Sequence, residues 1–100
     1  MLTSSEQIND EVLKQIETMG ACYFDPMAIA LALEIDKDLM RALMQDENSA
    51  AYRAYYKGFY TSEFEHRKSI IDLAKSGSSP AQTMVSNILE KAKLKLLDHG

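Results

Sequence analysis

Apolar residues recur through most of the chain at three- and four-residue intervals, the period of a helix. Ile8, Val12, Ile16 and Met19 form the first stripe, with Ser4 and Gln7 placed as a capping box and Gly20 as a stop. This predicts a helix over about residues 5–19. Asp25 followed by Pro26 opens a second helix, because a carboxylate caps the free backbone N–H groups and proline suits the first helical position. Ile29, Ala30 and Leu33 are its apolar face, Ile35 plugs the turn after it, and Asp36 caps a third helix that returns Met40 and Leu43 to the same core. That spacing is the one a helix-turn-helix needs, and the small Ala30 lets its two helices cross closely. Asp46-Glu47-Asn48-Ser49 then breaks the third helix and can cap the next.

Residues 50–76 read as one long helix. Tyr52, Tyr55, Tyr56, Phe59, Tyr60 and Phe64 fall three and four apart, and Ile70, Ile71, Leu73 and Ala74 continue the stripe. Gly58 inside it costs about 1 kcal/mol against alanine, which a helix tolerates where two backbones approach closely or where it bends. Gly77 ends the helix and Ser79-Pro80-Ala81-Gln82 starts another, with Ala81, Met84, Val85, Ile88, Leu89, Ala92 and Leu96 as its apolar positions. So short a connection forces an antiparallel, coiled-coil hairpin. The predicted fold is all-α: an N-terminal helix-turn-helix bundle over residues 1–48 and a long antiparallel helical hairpin over residues 49–100.

One hundred residues make one small domain, or two half-domains sharing a core, and oligomerisation is a natural supplement to a core of that size. No run is long enough to cross a bilayer, and the N-terminus lacks a signal-peptide pattern. A single cysteine, Cys22, excludes an internal disulfide and fits a reducing compartment; its place before the second helix suggests a small buried thiol. The net charge of −4 conceals an asymmetry: residues 1–48 carry three basic and ten acidic side chains, residues 49–100 eight basic and five acidic. A DNA-binding module is normally basic, since phosphate neutralisation supplies most of the affinity, so the half with the reader pattern has the opposite sign.

The outward positions of the third helix are Asp36, Lys37, Asp38, Arg41, Ala42 and Gln45. In a DNA reader these groups meet base edges and phosphates, which makes Lys37, Arg41 and Gln45 the candidate contacts and Asp38 their repulsive neighbour. The same residues also suit a solvated helix face, and a helix-turn-helix also serves as a protein-interaction bundle. The aromatic stripe fits core or subunit interface, with base stacking as the alternative use. Lys57 and Lys68, with Lys75, Lys91, Lys93 and Lys95, could give the hairpin a positive potential summed over subunits. Glu63 and His66 have the Glu-x-x-His spacing of carboxylate-bridged metal bundles, but only a symmetric oligomer could complete such a set, and His99 reads as tail. There is no Gly-rich phosphate loop and no nucleophile–base pair, so the sequence points to no catalysis, no cofactor and no metal.

Taken together, the chain resembles the phage terminase small subunits. The features that carry the resemblance are Tyr23-Phe24-Asp25-Pro26, Ile29-Ala30 with Leu33 and Ile35, Tyr52, Tyr55-Tyr56-Lys57-Gly58, and Arg67 ahead of Ile70 and Ile71. They end with Ala74-Lys75-Ser76-Gly77-Ser78-Ser79-Pro80-Ala81, so the resemblance covers about residues 23–90. It implies a homo-oligomeric ring, built through the hairpin, that binds double-stranded viral DNA in the bacterial host cytoplasm and hands it to the ATP-hydrolysing large subunit. Lys37, Asp38, Arg41, Gln45, Lys57 and Lys68 would then face DNA, and Tyr52, Tyr55, Tyr56, Phe59, Tyr60 and Phe64 would face neighbouring subunits. Two positions depart from the pattern. Glu34 stands where such turns usually have glycine, which suggests a strained or differently shaped turn. The chain ends at Gly100 soon after the hairpin, so the segment that usually contacts the large subunit is expected to be short or missing. Two other readings fit the residues: a small transcriptional regulator dimerising through the hairpin, and a helical assembly protein with no nucleic-acid role.

Overall fold

Five α-helices carry the fold of this computed structural model: α1 Asp10–Ala21, α2 Pro26–Ala32, α3 Lys37–Gln45, α4 Ala50–Lys75 and α5 Ser79–His99, preceded by a 3-10 turn at Ser5–Gln7. The structure describes residues 1–99; Gly100 and the side chain of His99, read above as tail, lie outside the described residues. The fold is all-helical, and the described residues pair as β-structure only at the bridge between Leu2 and Ile35. None of the described helices is long and apolar enough to cross a membrane.

The predicted helix starts are set by short-range bonds. Asp25 accepts from Ala28 N–H at 3.4 Å, Asp36 accepts from Leu39 N–H at 3.1 Å, and the Ser49 hydroxyl accepts from Tyr52 N–H at 3.0 Å. Ser49 also donates to Leu43 O at 2.8 Å, so one hydroxyl ties the end of α3 to the start of α4. The first helix departs from expectation. Ser4 and Gln7 do interact, the Gln7 carbonyl oxygen accepting from Ser4 N–H at 3.2 Å, but they close only the 3-10 turn. Asn9 then caps afresh, accepting from Val12 N–H at 3.0 Å, and puts Asp10 and Glu11 at the favourable end of the α1 dipole. At α5 the capping hydroxyl belongs to Ser78, which accepts from Ala81 N–H at 3.3 Å, one residue before the expected Ser79. Gln82 is therefore free to donate across the turn to Ala74 O at 3.2 Å.

Three helices end in the same way. At the ends of α1, α2 and α4 a 6→1 bond (Phe24 N–H to Met19 O, Ile35 N–H to Ala30 O, Ser78 N–H to Leu73 O) encloses a 5→2 bond. The residue inside each loop is left-handed: Tyr23 at φ 67°, Glu34 at φ 56° and Gly77 at φ 101°. Only the last uses glycine. Glu34 thus adopts the glycine conformation of a helix-turn-helix turn, so the turn has the usual form and carries strain.

The chain divides into two compact units within α4, Met1–Glu63 and Phe64 onward. In the first, Ile16, Ile29, Ala30, Ile35, Met40, Ala51 and Tyr55 form one buried cluster drawn from α1 to α4. Gly20 and Gly58 let α1 and α4 meet backbone to backbone: a Cβ on Gly58 would stand 2.0 Å from Glu17 O, and one on Gly20 would stand 2.6 Å from Tyr55 O. Close approach, not a bend, is what Gly58 serves. The second unit is a helical hairpin in which the end of α4 and α5 bury Ile70 and Ala81.

Candidate nucleic-acid interface

The α2–α3 pair buries one face of its second helix and leaves the other exposed. Ile29, Ala30, Ile35 and Met40 are buried, Leu39 and Leu43 pack partly against them, and Lys37, Asp38, Arg41 and Gln45 are left exposed. Lys37, Arg41 and Gln45 lie four residues apart, so they form one outward row along α3. Asp38 sits beside that row and pairs with Arg41 at 3.4 Å, with side chains 80% and 58% exposed. An ion pair so open to water holds its partners weakly, typically by about 0–1 kcal/mol.

The other two candidate contacts stand elsewhere. Lys57 on α4 reaches Glu17 on α1 at 3.6 Å and bridges the two helices at the Gly20–Gly58 crossing. Lys68 is exposed in the second unit. The structure therefore gathers Lys37, Asp38, Arg41 and Gln45 into one surface and gives Lys57 a partner of its own. By formal count the first unit carries five basic and eleven acidic residues, a balance of −6.

The aromatic stripe separates into two roles. Tyr55 is 6% exposed, and its hydroxyl donates to Phe24 O at 2.8 Å, pinning the α1–α2 connection to α4. Burial, followed by the nearby Tyr56 and the Asp25 charge, pushes the Tyr55 hydroxyl pKa up. Phe59 is half-buried and receives Tyr23 edge-on at 5.2 Å between ring centres. Both belong to the core of the first unit. Tyr52, Tyr56 and Tyr60 form a ladder on the flank, at 4.6 Å and 5.9 Å between successive rings; Tyr52 and Tyr56 are half-buried, and Tyr60 is 53% exposed. Desolvation and the charge of Glu47 push the Tyr52 pKa up as well. Phe64, exposed, opens the second unit.

The structure adds one surface feature that the sequence did not announce and corrects the expectation for Cys22. A depression of about 590 Å³ lies beside the α2–α3 turn, lined by Met1, Met27, Leu31, Glu34, Lys37 and Arg41 among others. Leu31 is the signal that could have found it, because Ile29, Ala30 and Leu33 point α2 inward and leave Leu31 outside. Cys22 is exposed, contrary to the expected buried thiol: it caps the end of α1, where the chain turns at the surface. Among the described residues no cluster of His, Cys, Asp and Glu is arranged to hold a metal ion. Set against protein-family models, characterised proteins and solved structures, the chain finds no match.

Proposed function

We propose that this chain is a non-enzymatic DNA-recognition subunit of the terminase small-subunit type, acting as a homo-oligomer that binds viral duplex and presents it to a large packaging subunit. The observation that carries the reading is the α2–α3 pair, with Ile29, Ala30, Ile35 and Met40 buried behind the exposed row Lys37, Arg41 and Gln45. Each subunit supplies only a few cationic contacts, so the mechanism is avidity: an assembly multiplies weak contacts into useful affinity. A second reading, a helical assembly protein without a nucleic-acid role, is favoured by the pairing of Arg41 with Asp38 and Lys57 with Glu17.

Salt dependence on a duplex separates them. Under the DNA reading, retention falls linearly in log–log form with salt, and each phosphate contact removed lowers the slope by about 0.9. Arg41→Ala should weaken retention, and Asp38→Lys should strengthen it by freeing Arg41 and adding a charge. Absence of salt-sensitive retention, even with Asp38→Lys in place, would leave the assembly reading standing.

A further inference from the structure

The first residues of the chain are bonded to the α2–α3 turn. Leu2 N–H donates to Glu34 O and Asp36 N–H donates to Leu2 O, each at 2.8 Å, which makes a parallel bridge between Leu2 and Ile35. Behind the bridge the Gln7 carbonyl oxygen accepts from Thr3 N–H at 2.8 Å and from Ser4 N–H at 3.2 Å, so the segment is held from both sides. The Leu2 side chain packs, partly buried, against the core.

Both residues that Leu2 grips matter to α3. Glu34 is left-handed, a conformation a non-glycine residue keeps only where its surroundings hold it, and the bridge fixes its carbonyl. Asp36 caps α3 through its carboxylate, and the bridge fixes the backbone of that same residue. The two ends of the turn are thereby clamped by one residue that lies outside the helix-turn-helix. We propose that Leu2 is a positioning residue: the 1–3 strap latches the α2–α3 turn and sets the start of α3, and its release loosens α3 while α1 and α4 remain folded. Two backbone bonds to a strap whose residues 1 and 3 are exposed and whose Leu2 is only partly buried open more readily than a buried core, so the latch opens locally within the native state.

Residue-resolved amide exchange on the full chain tests this. In the wild type, the Asp36 amide should be protected and its exchange should change little in low urea, while Ile16 should show the steep urea dependence of global unfolding. Leu2→Pro removes the N–H that Glu34 O accepts; it should speed exchange at Asp36, Leu39 and Met40 about tenfold, with less than about a twofold change at Ile16 and Tyr55. Leu2→Ala keeps both backbone bonds and should fall well short of that local effect. The proposal is overturned if Asp36 is unprotected or shares the urea slope of Ile16 in the wild type, an outcome that needs no variant to fold. It is equally overturned if Leu2→Pro accelerates all amides alike, or if Leu2→Ala matches it at Asp36. The readout is independent of DNA, so loss of the DNA-recognition reading would leave the latch intact.

Discussion

Gly20 and Gly58 occupy one crossing from opposite sides. A Cβ on Gly58 would stand 2.0 Å from Glu17 O and 3.1 Å from Ala21 N, while one on Gly20 would stand 2.6 Å from Tyr55 O and 3.2 Å from the Tyr55 ring. Each glycine therefore faces backbone on the other helix, which a rotamer change cannot move aside. This crossing brings Ala51 and Tyr55 of α4 into the same buried cluster as Ile16 of α1, and the Lys57–Glu17 pair bridges the helices beside it.

Gly58→Ala should be among the most damaging single substitutions. Alanine's better helix propensity returns about 1 kcal/mol, but the new carbon forces α1 and α4 apart along a packed seam. We expect a net loss of about 3 kcal/mol, a fall in Tm on the order of 15 °C, read by thermal unfolding. A variant with an unchanged Tm would show that the helices do not cross as closely as described.

Glu34 and Tyr23 share a backbone conformation and should respond to glycine in opposite ways. Glu34→Gly relieves left-handed strain of about 1–2 kcal/mol at a smaller entropic cost, and the Leu2 bond to residue 34 is made by backbone. The expected outcome is a gain of about 0.5–1 kcal/mol in urea denaturation. Tyr23→Gly obtains the same relief but removes the ring that meets Phe59 edge-on, so it should destabilise. Equal effects from both substitutions would mean that strain, not ring packing, decides at residue 23.

Sequence was a good guide wherever a bond spans three or four residues. Asp25, Asp36 and Ser49 cap the helices they precede, Gly77 ends α4, and Ile29, Ala30, Ile35 and Met40 are the core that their period implied. It was a poor guide where two local signals compete: Asn9 outdoes Ser4 as the cap of α1, and Ser78 outdoes Ser79 as that of α5. Long-range relations were beyond it. The spacing puts Tyr55 and Tyr60, five residues apart, about 140° from each other round α4, but it does not say which side is covered, and the α1–α2 connection settles that by bonding Phe24 O to the Tyr55 hydroxyl and packing Tyr23 on Phe59. Tyr23 carries no mark of a left-handed backbone, whereas Glu34 was marked only through the resemblance, by standing where such turns usually have glycine. At the candidate site, the exposed row on α3 was legible from period alone, and the pairing of Asp38 with Arg41 follows from their three-residue spacing. The Leu2 bridge and the depression beside it were not, as both depend on where the N-terminal segment comes to rest.

Alkaline stability should report on Tyr55. Its pKa is raised in the folded chain above the ordinary value near 10, chiefly by burial, so the unfolded chain gives up this proton first. The corresponding stability is fully present below about pH 10 and is lost as pH rises through the folded value. Tyr55→Phe should cost about 1 kcal/mol at neutral pH, through the lost bond to Phe24 O, and should flatten the decline above about pH 10. A decline of the same steepness in Tyr55→Phe, measured by urea denaturation across the alkaline range, would place its origin in other groups.

Tyr60 and Tyr55 together test whether the aromatic helix assembles subunits. Tyr60 is 53% exposed and sits at the open end of the Tyr52–Tyr56–Tyr60 ladder, whereas Tyr55 is 6% exposed within the core. If the ladder meets a second copy, Tyr60→Ser should keep the helical signal and the Tm of the isolated chain nearly unchanged while shifting the solution mass toward monomer. A half-exposed ring that a partner covers completely is the kind of anchor whose removal costs an interface about 2 kcal/mol, enough for a shift of more than tenfold in dissociation constant. Tyr55→Ser should instead unfold the first unit, because it leaves a cavity beside Ile16 and Ala51 and strips Phe24 O of its donor. Sedimentation at several protomer concentrations distinguishes the two effects, since an oligomer's stability depends on concentration and a core defect does not. A Tyr60→Ser variant with the mass of the wild type at every concentration would remove the ladder from the assembly surface.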